Sequence, residues 1–168
     1  MKGELLMSAK MKIICLSFTC LMILAAGCVE TAMKFHGNPV SSVPVVALLE
    51  GGPHAGTWQT FDLVIDYTYT QNGGVLDISG QCALSEHYRM NYATISRIFV
   101  YLFFLDEDSR VLETFSFPNN WLGDTDEVQL FTQSHKIPAE TTAISFGYSG
   151  EVTERKDRMS FYELPLKK

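Results

Sequence analysis

The chain has 168 residues, 46% hydrophobic and 12% aromatic, enough for one domain with a sizeable core and too few for two. Its formal charge is −6, and removing residues 1–27, which hold three lysines and one glutamate, makes it −8. A surface that acidic repels phosphate backbones, and the one basic run, Arg155-Lys156-Asp157-Arg158, is short, which argues against a nucleic-acid partner.

The first element is an apolar run of 14 residues, Ile13–Ala26. As a helix it would reach about 21 Å at roughly 1.5 Å per residue, short of the ~30 Å of a bilayer core. Lys10 and Lys12 precede it and Ala25, Ala26 and Gly27 close it, the anatomy of an export signal. Glu4 is out of character for a charged leader, and Met11-Lys12 begins a compact signal of its own, so Met1 and Met11 both stand as possible starts. Leu24-Ala25-Ala26-Gly27-Cys28 resembles the lipobox of bacterial lipoproteins, Leu-(Ala/Ser)-(Gly/Ala)-Cys, departing from it at Ala25, where Leu is commonest. The resemblance implies that the Cys28 thiol takes diacylglycerol, that the signal is cut before it, and that the new N-terminus is often acylated too. A thiolate suits this role as the best side-chain nucleophile near neutral pH, and two or three acyl chains anchor firmly where one does not. An ordinary signal peptide with an incidental cysteine, an uncleaved anchor and a buried core helix are the other readings of the run. Cys15 and Cys20 would leave with the signal, and with Cys28 blocked, Cys82 has no disulfide partner.

Residues 28–42 lack periodicity and read as a tether, after which a β-sandwich domain is expected over 43–168. Val43–Leu49 is a first strand ended by Gly51-Gly52-Pro53. Phe61–Tyr69 alternates, with Phe61, Leu63, Ile65, Tyr67 and Tyr69 on one face. Asn72-Gly73 then reads as a two-residue type I′ turn into Val75–Leu84. That turn pairs Tyr69 with Leu76, Tyr67 with Ile78, Ile65 with Gly80, Leu63 with Cys82 and Phe61 with Leu84. Asp66 then meets Ser79, and Cys82 points inward as a small buried hydrophobe. Ile95–Leu105 is apolar on both faces through Ile98–Leu105, the mark of a central strand covered on both sides. Asp106-Glu107-Asp108-Ser109 turns the chain into Val111–Phe117, in a register the pattern leaves open. Glu127–Gln133, Thr141–Tyr148 and Ser160–Leu164 complete the set. With no convincing amphipathic helix, the expected fold is all-β, an antiparallel, immunoglobulin-like β-sandwich of about seven strands. Val100–Leu112 loosely resembles the central hairpin of FxLYD-like and related immunoglobulin-like domains of bacterial lipoproteins, with Arg110 where those carry Gly.

Chemistry is sparse. Gly147-Tyr148-Ser149-Gly150-Glu151 misses the Gly-x-Ser-x-Gly elbow at position 151 and reads as a strand end. His36, His54, His87 and His135 show no metal-ligand spacing, and His87 sits in a loop while Cys82 turns inward, so no Cys/His nucleophile is expected. The acidic turns at Asp106, Glu107 and Asp108 and at Asp124 and Asp126 could hold Ca²⁺ with loop carbonyls; solvated turns are the plainer reading, and no metal or cofactor is expected.

The recognition candidates are the loops Ser85–Thr94 and Pro118–Asp126, with Tyr88, Arg89, Tyr92 and Trp121, residue types enriched at interface hot spots. If strands alternate in direction, both loops lie at one end of the sandwich, where Trp121 and Tyr92 could equally cap the core. The expected function is a non-catalytic, lipid-anchored module that contacts an envelope protein. The alternative is a binder of a glycan or lipid that uses Trp121 or Trp58 as a stacking platform; an enzyme of unrecognised type is a third reading. Val29 after Cys28 differs from the Asp that resembles an inner-membrane retention signal, so in a cell with two membranes the address expected is the periplasmic side of the outer membrane.

Overall fold

In a computed structural model, the residues described are 34–117, 121–154 and 157–165. The expected signal and Cys28 lie outside them. Ten strands and one short helix are present among the described residues. One sheet is the run β2 (Gly51–Gln59), β3 (Leu63–Asn72), β4 (Val75–Leu84) and β8 (Gln129–Lys136), in that spatial order. The other is centred on β5 (Thr94–Leu105) and β9 (Ala143–Glu154), paired along their length. On the far side of β9 lie β1 (Val46–Ala47) and β10 (Asp157–Glu163); on the far side of β5 lie β6 (Val111–Ser116) and β7 (Trp121–Asp124). Every pairing is antiparallel, so the domain is an antiparallel β-sandwich. The strands beyond those expected are β2, hidden in sequence by Gly51-Gly52-Pro53, and β7, assigned to a loop.

The alternation seen in sequence builds the layer between the sheets. Leu63, Ile65, Tyr67 and Tyr69 of β3 meet Leu76, Ile78, Cys82 and Leu84 of β4, and opposite them stand Ile98, Val100, Leu102 and Phe104 of β5 and Ile144, Phe146 and Tyr148 of β9, all buried. Such burial stabilises by ~25 cal/mol per Å² of apolar surface removed from water. Ser96 is an extra residue in β5 relative to β9, so the strand switches phase and both Ile95 and Ile98 point inward. The sandwich closes along one side through Phe115 on His135 and Phe117 on Phe131, with ring centroids 4.0 and 4.5 Å apart.

The β3–β4 hairpin differs from expectation by two residues. The turn is Gly73-Gly74, both at positive φ (58° and 77°), and Asn72 pairs with Val75. Tyr69 therefore faces Ile78, Tyr67 faces Gly80, Ile65 faces Cys82, Leu63 faces Leu84, and Asp66 faces Gln81. A shift of two keeps every side chain on its face, so Cys82 stays inward. Phe61 loses its expected partner Leu84 and lies before β3, 70% exposed. The observed register sets Gly56, Tyr67, Gly80 and Phe131 in one row across four strands. A Cβ on Gly56 would come within 2.6 Å of the Tyr67 hydroxyl, and one on Gly80 within 2.9 Å of Phe131 Cζ. Each aromatic ring is accommodated by a neighbouring glycine.

Residues 35–42, expected within the tether, pack on the domain. Phe35 and Val40 are buried against Phe103, Leu105, Val111 and Ala143 on the outer face of the β5–β9 sheet. Val40 N donates to the Ser109 carbonyl at 2.9 Å, and the buried Asn38 amide donates to the Pro165 carbonyl at 2.8 Å. This strap is the second cover that the two-sided apolarity of β5 requires. In the turn beneath it, Asp106 Oδ1 accepts from the backbone N–H groups of Asp108 and Arg110 (3.0 and 2.8 Å), and Ser109, not Arg110, takes the left-handed conformation.

Candidate functional site

The end of the sandwich opposite that turn is built from α1 (Glu86–Asn91), the β2–β3 connection and the β7–β8 connection. α1 occupies the expected Ser85–Thr94 loop. The Ser85 carbonyl accepts from Tyr88 N and Arg89 N, and the Tyr88 carbonyl from Tyr92 N, which closes the short helix. The two loops expected at one end do meet there: Arg89 Nε donates to Asp126 Oδ1 at 3.0 Å, and Thr125 Oγ1 donates to the Tyr92 carbonyl at 2.6 Å.

The four sequence-predicted recognition residues take different positions. Tyr88 and Trp121 are core side chains, 1% and 2% exposed, and offer a partner no surface. Arg89 is exposed in its ion pair, and Tyr92 is half-buried with its hydroxyl donating to Met159 Sδ at 3.2 Å. Trp58 is fully buried as well, its Nε1 donating to the Pro44 carbonyl at 2.8 Å. Neither indole has the exposed face that a stacking platform for a glycan or lipid needs.

Beneath the end lies a polar node that sequence reading missed. Asp62 accepts from the Tyr88 hydroxyl at Oδ1 (2.9 Å) and from the Tyr148 hydroxyl at Oδ2 (2.7 Å), while Thr60 Oγ1 lies 2.8 Å from the Tyr148 hydroxyl. The Asp62 carbonyl accepts from Ser85 N at 2.8 Å. Burial, together with the facing carboxylate, pushes both phenols well above the ordinary tyrosine range. Phenols so hard to ionise are fixed donors at neutral pH rather than acid–base groups, and the node ties α1 and β9 to the β2–β3 connection.

Beside its charged side chains, this end exposes two large apolar ones. Phe61 (70% exposed) lies against His87 with ring centroids 5.2 Å apart, and Met90 (75% exposed) follows His87 at helical spacing. Inward from the surface, His87 packs on the buried Tyr88 and Tyr88 on Tyr92, at 5.3 and 5.9 Å, and the Tyr92 hydroxyl reaches Met159. The only advance signal for this ridge was its loop position, because alternation assigned Phe61 to the core. The acids nearby serve the turn: Asp124 Oδ1 accepts from Asp126 N at 2.9 Å, and Asp126 pairs with Arg89. No group of three or more His, Cys, Asp or Glu side chains is placed to hold a metal ion among the described residues. Gly147-Tyr148-Ser149-Gly150 lies inside β9 rather than at a strand end, with Gly147 packed under Phe103 and Gly150 under Phe161.

Fold and site together define an antiparallel β-sandwich with an apolar ridge at one end. No protein-family model, curated protein or solved structure matches the chain. Among the described residues, no helix is long and apolar enough to cross a membrane.

Proposed function

We propose that this chain is a bacterial lipoprotein, held to the membrane by acylated Cys28, whose sandwich is a non-catalytic module that meets a protein partner in the cell envelope. In a cell with two membranes its address is the periplasmic side of the outer membrane. The observation that carries the reading is the polarity of the domain along β5. The strap packs at the Leu105 end, while the Phe61–His87–Met90 ridge lies beyond Thr94. Twelve residues of strand separate the two ends, about 40 Å at ~3.3 Å per residue. Only residues 29–34 intervene between Cys28 and the strap, a reach of roughly 20 Å. An anchor at one end turns the ridge away from its own bilayer, toward other proteins.

Two measurements test this. Metabolic labelling with a fatty-acid probe labels the wild type and not Cys28→Ala; equal label in both removes the anchor. A photo-crosslinking residue at position 90, in intact cells, gives one defined adduct. That adduct is lost with Phe61→Asp and kept with Thr132→Asp, an exposed position in β8 away from the ridge. Adducts indifferent to both substitutions would count against the ridge as the contact surface.

A further inference from the structure

A cleft of about 310 Å³ opens between the strap and the end of β10, away from the ridge. Its apolar lining includes Val40, Val43, Phe103 and Tyr162, and its polar groups include Ser42 and Glu163. The size is at the lower end of small-molecule sites, roughly 300–1,000 Å³, and an apolar lining with few polar groups is their usual make-up. Glu163 is half-buried. Its Oε1 accepts from Ser42 Oγ at 2.5 Å, which fixes the carboxylate at the cleft, and its Oε2 accepts from none of the described residues. No cationic side chain among the described residues pairs with it. A carboxylate fixed at the mouth of an apolar cleft, with its second oxygen open to solvent, is placed to meet a cation that enters. The aromatic rim of Tyr162 favours the same charge, and the chain's formal charge of −6 draws cations toward the surface.

We propose that this cleft binds a small primary alkylammonium ion. The ammonium donates to Glu163 Oε2 and the alkyl chain lies on Val40, Val43 and Phe103. The ligand bridges strap and β10, so its binding also holds the strap in place. This site is independent of the ridge and of the anchoring.

The experiment is calorimetric titration of the full chain in detergent with n-butylammonium chloride, n-butanol and sodium butanoate. The expected result is saturable binding of the ammonium, one per chain, at least about tenfold tighter than the alcohol, with no binding of the carboxylate. Glu163→Gln, which retains an acceptor for Ser42, is expected to lose that discrimination while its melting temperature stays close to wild type. Ser41→Trp, a change at an exposed position on the rim, is expected to block binding by filling the mouth. Equal affinity for the ammonium and the alcohol, unchanged ammonium binding by Glu163→Gln, or no saturable heat from any of the three probes would each overturn the proposal.

Discussion

Cys82 has no exposed surface, and burial pushes its thiol from an ordinary 9.0 up to about 12. A group whose folded pKa is raised binds its proton more tightly in the folded state. Its contribution is therefore intact below the unfolded value and lost as pH climbs through the folded one. Stability should be level below about pH 9 on this account and fall from there toward pH 12. Tyr88 and Tyr148, raised from 10.0, add to the fall at higher pH. Thermal melts across this range check the slope, and Cys82→Ala should move its onset upward while costing about 1–2 kcal/mol at neutral pH. A thiol reagent should leave Cys82 of the folded protein unlabelled and react with it after denaturation. The Asp62 node is testable in the same way. Tyr88→Phe leaves Asp62 Oδ1 without its phenol donor and should cost about 1.5–3 kcal/mol, the usual worth of a hydrogen bond to a charged group. Chemical denaturation of Tyr88→Phe, Asp62→Ala and the double variant should show the two losses failing to add. Strand alternation was enough to put Cys82 inside. The burial of Tyr88 and Trp121 was not legible, because an interface anchor and a core cap call for the same aromatic residues. Which of the two a loop holds depends on whether another element covers it.

At the scale of the element, the β3–β4 hairpin separates what periodicity can determine from what it cannot. Alternation sets which face a side chain occupies, and a slip of two residues leaves every face unchanged. Apolar therefore met apolar in both registers, and Asn72-Gly73 and Gly73-Gly74 are both acceptable turn pairs. What marks the observed register is non-local: it sets Gly80 opposite Tyr67, where a Cβ would run into the Asp66 carbonyl oxygen and Tyr67 Cα. Two substitutions distinguish the registers. Gly80→Ala directs its Cβ at the Asp66 carbonyl oxygen and the Phe131 ring, and should cost about 3 kcal/mol, the upper end of overpacking. Gly73→Asn lies in open space at φ 58°, where asparagine is favoured in the first central place of this turn, and should change stability by less than about 0.5 kcal/mol. In the expected register residue 73 would be the second central place and residue 80 would face Ile65 rather than Tyr67. Urea denaturation of both variants decides it: a tolerated Gly80→Ala would contradict the packing described here.

For the whole molecule, the strap determines where the folded domain begins. β5 could be read as covered on both sides, but the cover could not be identified, because Phe35 and Val40 stand five residues apart among polar neighbours and follow no strand or helix period. Their burial comes from shape, as the strap crosses the β5–β9 sheet and is held by Val40 N on Ser109 and Asn38 on Pro165. Without it, Phe103, Leu105 and Val111 would lose their outer cover. A chain begun at Val43, where the pattern of sequence alone places the domain, should therefore be markedly less stable than one begun at Lys34. Phe35→Ala in the longer chain should account for about 3 kcal/mol of the difference, as expected for a buried phenylalanine removed from a core. Because Asn38→Ala breaks the latch to Pro165 without removing apolar surface, its cost should be smaller, about 1 kcal/mol. Equal melting temperatures for the chains begun at 34 and 43 would mean that the strap adds nothing to the fold.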